Sequence, residues 1–122
     1  MKGKPLIMKT VIYHNPRWGK SRSSVELLEN KKIDFTIIEY IKNPLKKKTL
    51  KEIIGMLGVK ASDIIRTSEK EFVENNISDI LEDEGKTLSA IEDYPKIMQR
   101  PIIIHNGKAV IGRPPENINK II

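Results

Sequence analysis

The sequence predicts an α/β fold built on a mixed four-stranded sheet, and three observations carry the prediction. In the first third of the chain two β-branched runs bracket a segment of helical character, and strand, helix, strand makes a right-handed βαβ unit. Near the other end Asn106-Gly107 stands between two apolar runs, which signals a hairpin because a type I′ turn needs positive φ at both central positions. The chain has 122 residues and 39% hydrophobic content. A chain of that length buries roughly two-thirds of its unfolded surface in one core, so a single domain over residues 1–122 is expected.

Lys9-Thr10-Val11-Ile12-Tyr13-His14, closed by Asn15-Pro16, reads as a strand entering a loop. From Gly19 to Asn30 a helix follows, with Ser21, Ser23 and Ser24 as candidate caps and Val25 and Leu28 on one face. Phe35-Thr36-Ile37-Ile38-Glu39-Tyr40-Ile41 is apolar at both parities, which suits a central parallel strand covered on each side. Thr49 with Glu52 reads as a capping box, Leu50, Ile53, Ile54 and Leu57 repeat at helical spacing, and Gly58 stands where a terminating glycine belongs. Ser62 is expected to cap a turn holding Ile64, Ile65 and Arg66. Further short helices are expected between Glu69 and Glu84, and another from Thr87 through Ile91 that stops near Pro95. Pro101-Ile102-Ile103-Ile104-His105 and Lys108-Ala109-Val110-Ile111 form the hairpin strands, and Pro114-Pro115 open a last helix with Ile118, Ile121 and Ile122 on one face. The order βαβ, helical insertion, ββα is the thioredoxin topology, in which Pro101 takes the place of that fold's cis-proline.

Composition narrows the chemistry. There is no cysteine, which removes disulfides, thiolate metal sites, iron–sulfur clusters and thiol reactions. Net charge is +6, but the 17 lysines and five arginines are interleaved with 16 acids, and Lys46-Lys47-Lys48 reads as a solvated loop face, so no nucleic-acid role is expected. The start of the chain lacks a sustained apolar run and nowhere do eighteen apolar residues run together, so no membrane role and a cytoplasmic location are expected. His14 and His105 lie at the ends of strands that could be neighbours, yet two histidines without a third ligand make a poor metal site. No metal and no cofactor are expected.

His14-Asn15-Pro16-Arg17-Trp18-Gly19-Lys20-Ser21-Arg22 resembles the active-site loop of glutaredoxin-dependent arsenate reductases of the ArsC/Spx family, His-Asn-Pro-x-Cys-Gly-x-Ser-Arg, with Trp18 at the cysteine position. Gln99-Arg100-Pro101-Ile102, Gly112-Arg113-Pro114 and Ile64-Ile65-Arg66 resemble that family's three arginine positions. The resemblance implies an anion site where Arg66, Arg100 and Arg113 hold an oxyanion beside Trp18, with His14, Asn15, Ser21 and Arg22 around it. It implies arsenate, phosphate or sulfate as ligand, and glutathione or glutaredoxin as family partners made unproductive here. An indole is an uncharged donor that neither attacks arsenic nor forms a mixed disulfide.

Each residue has a plainer reading as well. Trp18 could close an unused cleft instead of stacking on a ligand, and the arginines could be surface residues. The expected function is a degenerate, catalytically inactive reductase relative that retains an oxyanion pocket. The alternative is an Spx-like regulator that binds RNA polymerase or another protein without redox sensing, and an enzyme of another class ranks last because no acid–base pair or replacement nucleophile is evident.

Overall fold

The computed structural model of the protein describes residues 10–122, so Lys9 and the segment before it lie outside the described residues. The chain forms two compact units, one from residues 10–39 with Arg100–Ile122 and the other from Tyr40–Gln99.

The first unit holds the sheet: β1 (Thr10–His14), β2 (Thr36–Glu39), β3 (Ile102–His105) and β4 (Lys108–Ile111), with α1 (Gly19–Asn30) between β1 and β2. The strand order is β2-β1-β3-β4. β2 runs parallel to β1, with Ile12 opposite Ile37, and β3 and β4 are antiparallel, which makes the sheet mixed as expected. Ile12, Leu28, Ile103 and Ile118 form a fully buried cluster, with Val25, Phe35 and Val110 packed against it. Thus the apolar stripe of α1 and the final turns share one core. At the hairpin, Asn106 and Gly107 have φ of 52° and 81°, as the type I′ reading requires.

Several sequence expectations are corrected here. β2 is an edge strand, and Ile37 is 45% exposed. Apolarity at both parities cannot tell an edge from a centre: β2 pairs with β1 on one side only, because β3 and its hairpin partner add to the opposite side of β1. The last helix is a 3₁₀ segment, Pro115–Lys120. No serine caps α1; its N-cap is Trp18, without a side-chain cap bond. Ser21 Oγ instead accepts from the Asn15 N–H at 3.3 Å.

The second unit is helical: α2 (Lys47–Leu57), α3 (Lys70–Glu74) and α4 (Glu84–Asp93), joined by 3₁₀ turns at Ala61–Ile64, Ile77–Ile80 and Pro95–Ile97. α4 packs on α2 and on the Ala61–Ile64 turn, burying Leu50, Ile53, Ile54, Leu88 and Ile91. Gly58 ends α2 in the left-handed region, with φ of 71° and its N–H 2.9 Å from Ile54 O. The expected Thr49–Glu52 box does not form, because α2 begins at Lys47 with Lys46 as N-cap. Lysine is a good helix former, so the helix extends upstream and leaves Thr49 inside its first turn. α4 starts at Glu84, earlier than Thr87, with Asp83 as N-cap.

Ser62 is no cap either. Lys60 N–H donates to Asp63 Oδ2 at 2.9 Å, closing that turn. Ile65 and Arg66 leave it to bridge in antiparallel fashion with the 97–99 segment, Arg66 N–H to Ile97 O and Gln99 N–H to Ile64 O.

Candidate functional site

The loop from β1 to α1 is fixed by its own backbone. Asn15 Oδ1 accepts the Arg17 N–H at 3.1 Å, and Asn15 O accepts the Trp18 N–H at 3.1 Å. Asparagine suits this position because its side chain mimics a turn of backbone. Trp18 stays extended at φ −109°, ψ 134°, and its carbonyl takes the first helical bond, from Arg22 N–H at 3.1 Å. With no side chain capping α1, the first-turn amides and the positive end of its dipole stand at Gly19–Ser21, where Gly19 and Lys20 are exposed and Ser21 is buried.

Over Trp18 lies Arg100, its guanidinium carbon 4.0 Å from the ring centroid. Arg100 is 1% exposed and Trp18 43%. A cation over an indole face at this distance is a favourable contact, stronger when the cation is desolvated. Arg100 is delivered there by the cis Arg100–Pro101 peptide that precedes β3. Arg22 folds back, Nη1 donating to Pro16 O at 3.0 Å. Arg17, Lys20 and Arg22 are exposed, and no acid occurs between Thr10 and Val25.

His14, 7% exposed at the end of β1, has no hydrogen-bond partner for Nδ1 among the described residues. Burial pushes its pKa below the ordinary 6.5; Glu39 opposes that and Arg22 adds to it. The ring is therefore neutral near pH 7 rather than an imidazolium.

The other candidates have surroundings of their own. Arg66, in the second unit, gives Nε to Glu69 Oε2 at 3.3 Å and Nη1 to Gln99 Oε1 at 3.2 Å. Arg113 is exposed, just before a cis Pro114. His14 and His105 do not meet: antiparallel pairing sets His105 opposite Thr10, whose Oγ1 lies 2.7 Å from Nδ1. Among the described residues no three His, Asp or Glu could hold a metal ion.

Gly112 is the residue that reading the sequence missed. Its N–H donates to Pro101 O at 2.8 Å. A Cβ there would lie 2.6 Å from Ser24 Oγ and 2.9 Å from both Ile103 Cδ1 and Pro101 Cγ. The signal was present, since a glycine at a strand end often marks a close backbone approach.

Residues 13–121 match the model of the ArsC family. The chain is 38% identical over 112 residues to the YfgD protein of Escherichia coli (strain K12), covering 91% of this chain and 94% of that one. It is 37% identical to an arsenate reductase of Neisseria meningitidis serogroup A, covering 91% and 96%. An arsenate reductase structure from Vibrio cholerae superposes with a TM-score of 0.90 at 35% identity, covering 94% of this chain and 98% of that one. The thioredoxin-like sheet agrees with these likenesses, and the chain belongs to the ArsC family, with Trp18 where the family has its cysteine.

Proposed function

We propose that this chain is a non-reducing member of the ArsC family that binds a small oxyanion at the start of α1, with Arg100 as the anchor. One observation carries the reading: a buried arginine is held 4.0 Å over the residue that caps an otherwise uncapped helix. A guanidinium fork matches oxyanion oxygens, and helix amides add donors aimed at the same charge. Arg22 and Arg113 are the supporting cations of this unit, whereas Arg66 is committed to Glu69 and Gln99. Reduction needs a thiol to bond arsenic and then exchange with glutathione or glutaredoxin, and the chain has no cysteine. Binding without turnover is what remains.

The test has two parts. Arsenate with glutathione, glutaredoxin and NADPH should give consumption equal to the protein-free blank; turnover above it overturns the inactive half. Calorimetry in sulfate-free buffer should show phosphate, sulfate or arsenate bound at roughly millimolar to micromolar affinity, at least about tenfold weaker in Arg100→Lys, which keeps the charge and loses the fork. Equal affinity in the two proteins overturns the anion half.

A further inference from the structure

We propose that the helical unit carries a binding cleft for a short unblocked peptide of about three residues, laid along α4 with its carboxylate toward Lys47 and Lys86 and its ammonium toward Asp93. The cleft lies wholly within Tyr40–Gln99 and is independent of the anion reading above. Its volume is about 370 Å³, in the range of small-molecule pockets. Its apolar lining is Ile77 and Ala90, both buried, with the half-buried Ile80 and Tyr94 beside them. The charges around that lining run against the helix dipoles, since a helix favours acids at its start and bases at its end. Lys47 is the first residue of α2, and its Nζ reaches α4, 3.3 Å from where a Cβ on Gly85 would stand. Lys86 sits in the first turn of α4 and Asp93 is its last residue. Asp83 and Glu84 serve the start of α4 but lie outside the lining. Among the described residues none of Lys47, Lys86 and Asp93 is in an ion pair. A ligand that brings an anion to one end and a cation to the other meets both. Lys86 and Asp93 are seven residues apart on one helix, about 10 Å along its axis, and three extended residues reach about the same distance. A free amino acid carries its two charges too close together, and a fatty acid or an inorganic anion leaves Asp93 without a counterpart. An apolar central side chain meets Ile77, Ile80 and Ala90, while Ser89 adds a hydroxyl for the peptide backbone between the charged ends.

The probes are the tripeptide Ala-Leu-Ala, its N-acetyl form, its C-terminal amide, Ala-Gly-Ala and octanoate, titrated into the whole chain by calorimetry and by NMR of the backbone amides. Ala-Leu-Ala should bind at roughly millimolar affinity and shift the amides of Gly85, Ser89 and Ala90. Acetylation and amidation should each weaken it about two- to fivefold, the worth of an exposed ion pair. Ala-Gly-Ala should bind roughly fivefold more weakly, because it buries no apolar side chain. Asp93→Asn should erase the cost of acetylation alone, and Lys47→Gln combined with Lys86→Gln the cost of amidation alone. All three positions are exposed, so these variants keep the fold. Equal binding of the free, acetylated and amidated peptides overturns the inference, as does the absence of any shift at those amides up to about 10 mM peptide. Octanoate bound as tightly as Ala-Leu-Ala, and unaffected by Asp93→Asn, overturns the peptide assignment. Gly85→Leu brings a better helix former, fills the cleft and should abolish binding; retained binding overturns the location.

Discussion

Gly112 and Ser24 meet so closely that the missing side chain is itself structural. A methyl group on Gly112 collides with Ser24 Oγ, Ile103 and Pro101 at once, so Gly112→Ala is expected to cost about 1–3 kcal/mol by overpacking. Ser24 Oγ is buried without a partner among the described residues. Ser24→Ala should therefore be near neutral alone and recover part of the loss in the double variant, which denaturant midpoints will check. His14 gives a pH dependence whose sign is fixed. Its folded pKa lies below 6.5, so as pH falls through 6.5 the unfolded chain takes up the proton first and the fold loses stability, down to the lower folded value. The unfolding midpoint measured at pH 7.5 and 5.5 should fall more steeply for the wild type than for His14→Gln, and equal slopes would refute the buried neutral imidazole.

At the scale of elements, capping separates helices that looked alike. Asp83 Oδ1 accepts the Lys86 N–H at 2.9 Å at the start of α4, so Asp83→Ala is expected to lose about 1 kcal/mol in chemical denaturation. Thr49→Ala, at the residue whose spacing suggested a cap, should change little, because α2 starts two residues before it. The periodicity of Leu50, Ile53, Ile54 and Leu57 was legible because burial of one face is written every three or four residues. The caps were not, since a cap depends on where the backbone turns extended, and at Lys46 and Trp18 it does so without any side-chain bond. The hairpin was legible to the residue, because positive φ at two consecutive positions admits few sequences besides Asn-Gly.

At the scale of the whole molecule, the question is whether the field of the reductase site outlives its nucleophile. The α1 N-terminus is uncapped and carries Arg17, Lys20 and Arg22. A thiol placed there by Trp18→Cys should titrate below about pH 7.5, against about 8.5 for an ordinary cysteine. Thiolate absorbance across pH measures it directly. A value near 8.5 would mean that the loop no longer focuses charge, and the proposed anion site would lose its main physical basis. Among the described residues no helix is long and apolar enough to cross a membrane.

By itself the sequence determined the order of elements, the mixed sheet, the hairpin, the family loop and the absence of any thiol, because each is written in local periodicity, turn chemistry or composition. Tertiary structure alone decided that β2 is an edge, that Gly112 must be bare, that His14 and His105 lie at opposite ends of a strand pair, and that Arg100 is buried over Trp18 while Arg66 turns to Glu69 and Gln99. The physical reason is common to them all: they depend on contacts between residues far apart in the chain, and a long-range contact leaves no period in either partner's own sequence.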